Sequence, residues 1–404
     1  MTTKAGASGA AATRKSGDQA AASSGTNMWI TCLQENLSKG LATVSRAVAA
    51  RATLPVTQNV LLQADGARLK LTATNLEIAI STWVGAQVEH EGAVTVPARM
   101  LTDFVNSLPN DRVEIELSKD RKGIKLRCKN YTATFNGTDA EEFPPIPNVG
   151  GGATVRVPAD VLRGALQRVV FAAATDDSRP VLTGVKMDLA DSQFALAAAD
   201  GFRLAVERGQ LREAVAAPVG IIVPARTMSE VARLLSDQSS EVEMSVTGAK
   251  SQALFKLDNV EIVTQLIQGT FPDYEKLIPS SSGTKIKLDL PEFQQAAKAA
   301  SIFARDGSGI IRLIASPGDK GAAGSVKVLA RAEEMGDNEN VLEAEVEGDV
   351  SKVAFNSRFL TDVLNVVQGD DVMLETTTPS SPGVIKAAKH PGYTHVVMPM
   401  FVQW

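Results

Sequence analysis

Several segments of this chain recur at a nearly constant offset, which limits it to one fold copied in tandem. Val96-Pro97-Ala98-Arg99 returns as Val223-Pro224-Ala225-Arg226, 127 positions later. Phe143-Pro144-Pro145-Ile146-Pro147 returns as Phe271-Pro272-Asp273-Tyr274-Glu275-Lys276-Leu277-Ile278-Pro279 after 128 positions. Pro55 to Asn75 aligns without a gap on Pro180 to Asp200 at an offset of 125. Solenoid repeats are only about 20–50 residues long, whereas this period is the length of a whole domain. A fainter third copy sets Ala354 to Leu364 on the pattern of Val96 to Val105, so one arginine recurs at 99, 226 and 358. Function must therefore come from how the copies are arranged.

The repeats divide the chain into three units, expected at 28–148, 153–280 and 284–404. Residues 1–27, mostly Ala, Gly, Ser and Thr, cannot bury enough apolar surface to order themselves and are expected to form a disordered tail. Gly150-Gly151-Gly152, between the first two copies, reads as a flexible linker.

Each copy splits into two similar halves, a short strand leading into an amphipathic helix and then several alternating strands. In the first half, Leu33, Leu37, Leu41, Val44 and Val48 recur at helical spacing. Three strand-like runs follow, with Asp65-Gly66 as a hairpin turn between the first two. In the second half, Pro97 is expected to open a helix through Leu101, Phe104, Val105 and Leu108, since proline in the first turn loses no hydrogen bond. Matching helices are expected at 159–173, 225–235, 292–304 and 357–367, six in all. Hairpin runs with isolated helices indicate an α+β fold rather than a Rossmann-type sheet.

The chain carries no phosphate-loop, nucleophile-elbow, zinc-protease or C-x-x-C motif. With His90, His390 and His395 as its only histidines, it has little material for a metal site, and no metal, cofactor or catalytic residue is expected. Two cysteines, Cys32 and Cys128, suit a reducing cytoplasm. No apolar run approaches the ~20 residues needed to span a bilayer, and no leader pattern opens the chain. A cytoplasmic, nucleoid-associated location is expected, with no membrane partner.

The net charge of −5 argues against a generally basic nucleic-acid wrapper, but local positive surface is compatible with it. Basic residues gather on the expected helices: Lys39, Arg46, Arg99, Arg163, Arg168, Arg226, Arg233, Lys298 and Arg358. Arg51, Arg179 and Arg305 sit just beyond the first helix of each copy. An acidic body with basic helices can present one positive face to phosphates.

The motifs Ala199-Asp200-Gly201-Phe202-Arg203-Leu204-Ala205-Val206, Phe271-Pro272-Asp273-Tyr274 and Tyr393-Thr394-His395-Val396-Val397-Met398-Pro399-Met400 resemble the bacterial DNA polymerase III β sliding clamp family, as does Arg51-Ala52-Thr53-Leu54-Pro55-Val56. The resemblance runs from about Met28 to Trp404. It implies three tandem clamp domains, with two chains joined head to tail as a ring whose helices surround duplex DNA without reading its sequence. It also implies a non-catalytic processivity factor. The implied partners are the DNA polymerase III alpha subunit, the clamp loader, other DNA polymerases, ligase and mismatch-repair proteins.

The resemblance implies a pocket for partners' linear peptides between the second and third copies. It would use Leu182, Ala199, Gly201, Phe202, Arg203, Leu204, Pro272, Lys276, Leu277, Val396, Met398, Pro399 and Met400, with Arg203 and Lys276 addressing polar groups of the peptide. The implied subunit contact brings Ile302 and Phe303 of the third copy to Ala133 and Phe135 on an edge strand of the first. Phe202, Lys276 and the terminal Phe401-Val402-Gln403-Trp404 depart from the family pattern. Two other readings remain at this stage: an enzyme whose site converges from distant positions, and a repeat scaffold that binds proteins but not DNA.

Overall fold

The computed structural model describes residues 28–50, 54–237, 241–319 and 323–404; the expected tail and Arg51 lie outside them. Six times the described chain runs strand, helix, three strands. Trp29–Leu33 leads into α1 (Gln34–Val44), followed by Asn59–Asp65, Arg68–Thr74 and Ile78–His90. Ala93–Pro97 leads into α2 (Ala98–Ser107), followed by Arg112–Leu117, Gly123–Cys128 and Tyr131–Asn136. The same order recurs around α3 (Ala159–Val169), α4 (Ala225–Leu234), α5 (Leu290–Arg305) and α6 (Ser357–Val366).

The way each helix starts differs from the expectation. Pro97 closes its strand as the residue preceding α2, with φ −54° and ψ 112°, instead of occupying the first turn. Pro158 and Pro224 do the same before α3 and α4. Proline's fixed φ suits this break, because the residue still has extended geometry. In the third copy, side chains take over. Asp289 accepts from the Glu292 amide, and Asn356 from the amides of Arg358 and Phe359, satisfying donors that the helix start leaves open. α3 also ends early, in a 3₁₀ turn at Val170–Ala172 where helix was expected to Ala173.

Helices pack in pairs, α1 on α2, α3 on α4 and α5 on α6. Each lays an apolar stripe on the sheets: Ala98, Leu101 and Val105 of α2, and Leu360, Val363 and Leu364 of α6, are buried. Burying each of the larger side chains contributes about 1.5–3 kcal/mol.

Two long antiparallel sheets cross the copy boundaries. In one, Val260–Gln265 of the second copy pairs with Ile78–His90 of the first. In the other, His390–Val397 of the third pairs with Arg203–Gln210 of the second. The last strand of each later copy thus joins the strand that ends the first half of the copy before it. Tyr131–Asn136, which holds the matching place in the first copy, ends its sheet with one edge unpaired among the described residues. No helix among the described residues is long and apolar enough to cross a membrane.

Candidate functional site

The junction of the second and third copies holds an apolar cluster separate from the main core. Leu182, Ala199, Leu204 and Val396 belong to it, with Ala174, Ala197, Val206, Ile222 and Phe271. Strand geometry assembles it. Leu204 lies opposite Ala199 on one neighbouring strand and Val396 on the other, and Leu204 and Val206 share a face.

Above this floor the chain makes a tight turn. Asp200 Oδ1 accepts from the amides of Phe202 at 2.8 Å and Arg203 at 2.9 Å. Gly201 supplies the left-handed backbone, at φ +92°. Phe202 projects outward, 62% exposed, while its carbonyl accepts from the Met398 amide at 2.8 Å. Pro272, Lys276 and Leu277 come from the segment joining the copies, whose Tyr274 and Ile278 pack on the same cluster. Lys276 Nζ lies 2.8 Å from Asp273, which holds the lysine above its usual range by a hydrogen bond and charge. Half-buried Pro399 and exposed Met398 and Met400 complete the rim, and the Met400 amide bonds the Ala354 carbonyl. An apolar floor with an adaptable Phe/Leu/Met rim can receive short apolar side chains.

Arg203 does not reach into this groove as expected. It is buried, with Nε 3.0 Å from Asp200, Nη1 2.7 Å from Asp362 and Nη2 2.8 Å from the Phe171 carbonyl. Its guanidinium also lies over the rings of Phe359, at 4.5 Å, and Phe171, at 5.3 Å. Asp362 is on α6, so Arg203 ties the pocket turn of the second copy to a helix of the third and positions the wall.

His395 lies alongside, fully buried, stacked on Phe171 at 5.5 Å with Nδ1 3.3 Å from the Tyr393 hydroxyl. Its Nε2 has no hydrogen-bond partner among the described residues. Burial, then the nearby Arg203 charge, lowers its pKa from an ordinary 6.5 to about 3. The unfolded chain therefore binds a proton that the folded chain refuses between those values. The His395 contribution to stability is complete above about pH 6.5 and is lost as pH falls toward about 3, at up to about 1.4 kcal/mol per pH unit. Urea midpoints at pH 7 and pH 5 should differ less in His395→Phe than in the unsubstituted protein. Equal differences would remove His395 as a source of acid lability.

Exposed positions hold most of the expected phosphate-facing residues: Lys39, Arg46, Arg99, Arg226, Arg233, Lys298, Arg305 and Arg358, with Arg163 half-buried. Several are paired along or at the end of a helix, Lys39 with Glu35 at 2.6 Å, Arg233 with Glu230 at 2.9 Å and Arg305 with Asp306 at 3.6 Å. Such exposed pairs are weak and hold these side chains only loosely. Arg168 is a correction. It is buried, and its guanidinium grips Glu207 with two bonds, at 3.0 and 2.7 Å, so it cannot meet phosphates. Arg179 donates to the Asp200 carbonyl at 2.6 Å and so stands beside the pocket turn, a neighbour the sequence reading missed.

The expected subunit-contact residues are also revised. Phe135 is buried within one chain, edge-on to Phe104 at 5.6 Å, and Ala133 packs on the same core. Both face inward because residues two apart share a strand face. The backbone of Tyr131–Asn136 is left to form an interface. Ile302 is exposed at the end of α5, and Phe303 packs half-buried on the core.

Comparison with known proteins agrees with this geometry along the whole described chain. The N-terminal, central and C-terminal domains of the DNA polymerase III beta subunit match residues 28–147, 156–273 and 275–401. The beta sliding clamp of Synechococcus elongatus is 30% identical over 376 residues, covering 92% of this chain and 99% of the relative. That of Bacillus subtilis is 27% identical over 383 residues, with the same coverage, 92% and 99%. The crystal structure of the Bacillus subtilis sliding clamp superposes with a TM-score of 0.88 at 26% identity, over 94% of this chain and all (100%) of that one. A Pseudomonas aeruginosa DnaN sliding clamp bound to griselimycin gives a TM-score of 0.84 at 28% identity, over 93% of this chain and 100% of that one.

Proposed function

Because the chain belongs to the DNA polymerase III beta subunit family, we propose that it works as a beta sliding clamp, a non-catalytic ring that holds the replicative polymerase on duplex DNA. The observation that carries this is the junction ladder. Each later copy docks its last strand on the copy before it, and Tyr131–Asn136 of the first copy is left with an unpaired edge. The corresponding strand of the third copy is Gly336–Gly348. Pairing Tyr131–Asn136 of one chain with Gly336–Gly348 of a second repeats the internal junction between chains. Such a heterologous contact, made twice, closes into a head-to-tail homodimer. Exposed edge strands are natural joining surfaces.

In this reading the three units are 28–148, 153–280 and 284–404, and the six helices of each chain face the hole. The pocket at the junction of the second and third copies takes short apolar segments of the polymerase III alpha subunit, the clamp loader, other DNA polymerases, ligase and mismatch-repair proteins. The protein acts in the cytoplasm on the nucleoid. Leu204→Ala with Met398→Ala removes one floor and one rim side chain. It should weaken binding of the alpha subunit about 10–100-fold, at roughly 1.4 kcal/mol per factor of ten, while sedimentation still reports a dimer. Unchanged affinity would refute the pocket assignment, and loss of the dimer would mean that the substitutions act through the fold.

A further inference from the structure

The junction between the first and second copies reproduces four bonds of the turn just described. Asn75 Oδ1 accepts from the amides of Glu77 at 3.0 Å and Ile78 at 2.9 Å, as Asp200 does from Phe202 and Arg203. The Asn75 amide donates to the Ile78 carbonyl at 3.2 Å, as Asp200 does to Arg203 at 3.3 Å. The Gln265 amide donates to the Glu77 carbonyl at 2.9 Å, as Met398 does to Phe202 at 2.8 Å. Ala79 and Val263 hold the places of Leu204 and Val396 and form, with Val149, another small apolar cluster apart from the main core.

The frame is the same, but its lining differs. A cavity of about 280 Å³ lies here, walled by Ile78, Ala79, Val263, Pro144, Ile146 and Pro147. Where the other junction has exposed Phe202 and Met398, this one has Glu77 and Gln265. Glu77 is exposed and its carboxylate has no hydrogen-bond or ion-pair partner among the described residues; no lysine or arginine lines this cavity, and the one basic residue near Glu77 is Arg226, across a wider adjoining opening that both residues line. Leu76 stands where the other turn has Gly201. It is held at φ +78° and leaves its side chain 46% exposed. A bulky residue in the left-handed region is strained, and folding alone would favour glycine there.

We propose that this junction is a second peptide-docking groove, and that its occupant is a short linear segment of a partner protein with a basic residue beside an apolar one. The apolar side chain enters over Ala79 and Val263 and packs on Leu76, and the basic residue meets Glu77. The acidic rim separates its ligands from those of the more apolar groove, by charge instead of shape. This inference rests on reading the junction of the second and third copies as a peptide site.

The test uses two fluorescein-labelled peptides, one carrying two lysines before Leu-Leu-Phe and one carrying two glutamates there. Polarisation titrations are made on the full chain and on the Leu204→Ala/Met398→Ala variant, in which the other groove is impaired. The lysine peptide should still bind that variant with one site per chain, and the glutamate peptide should bind it at least tenfold more weakly. Adding Glu77→Arg, a change at an exposed position, should weaken the lysine peptide at least tenfold. Leu76→Gly should weaken it about fivefold while the melting temperature is kept or raised, an outcome that a purely structural Leu76 would not give. Binding lost entirely in Leu204→Ala/Met398→Ala would overturn the second groove and leave the first standing. Binding that survives there but ignores Glu77→Arg and Leu76→Gly, or no saturable binding at all, would also overturn it.

Discussion

Arg168→Ala will destabilise the protein by about 3–5 kcal/mol, the cost of leaving a buried carboxylate without its cation. Glu207 is only 2% exposed, and each of its carboxylate oxygens accepts a bond from the Arg168 guanidinium. His390 Nε2, 2.7 Å from the same carboxylate, is half-exposed and cannot replace a bidentate fork. Arg168→Lys should recover only part of the loss, because an ammonium meets one oxygen at a time. Arg168→Met with Glu207→Leu should recover most of it, since the pair then leaves no charge in the core. Urea unfolding, with hydrogen exchange read across Ala159–Val169, measures all three. A loss under about 1 kcal/mol for the alanine variant would mean that water or a rearranged partner reaches Glu207, contrary to the cost of an unpaired buried charge.

Arg168 also shows where the sequence was readable and where it was misread. The repeat located all six α-helices of the described residues, because apolar spacing and domain period are both patterns along the chain. Charge has no such pattern. Arg163 and Arg168 are basic residues of one helix, but five positions at ~100° each set them about 140° apart. Arg168 follows buried Ala165 by three, about 60° away around the helix, so the helical period itself puts it beside the packed face. Phe135 was misread for a related reason: an edge strand exposes its backbone, and period two still turns every second side chain inward. Arg203 is a different case. Its partner Asp362 is 159 residues away, on a helix of another copy, and no local pattern announces that pairing. The floor of the pocket was legible because Ala199, Leu204 and Val396 sit in compact motifs. Phe271, Val206 and Ile222 were missed, though Val206 follows Leu204 by two on the same strand face.

The largest effect on function is expected from reversing the recurring arginine in every copy. Arg99, Arg226 and Arg358 each stand second in their helix, α2, α4 and α6, and all three are exposed. A cation in the first turn opposes the helix dipole and costs about 0.3–1 kcal/mol, so the fold gains nothing by placing one there three times. Arg99 has only a loose exposed contact, 3.9 Å from Asp103, and Arg226 and Arg358 have no carboxylate partner among the described residues. They are therefore free to meet phosphates. Each phosphate contact contributes about 0.9 to the slope of log affinity against log salt, so the triple Arg→Glu variant should lose about two to three units of that slope per chain. Loader-driven assembly on nicked circular DNA should fall about tenfold or more at moderate salt, with the thermal stability of the free protein kept or raised, since glutamate suits a first helical turn. The unsubstituted ring, once assembled, should stay on the circle and run off when the circle is cut, because a closed ring holds DNA by topology and its phosphate contacts need only be weak enough to slide. Unchanged loading in the triple variant would take these arginines off the DNA-facing surface. Equal retention on circular and linear DNA would mean ordinary surface binding, and the protein-scaffold reading would then account for the three copies better than a ring.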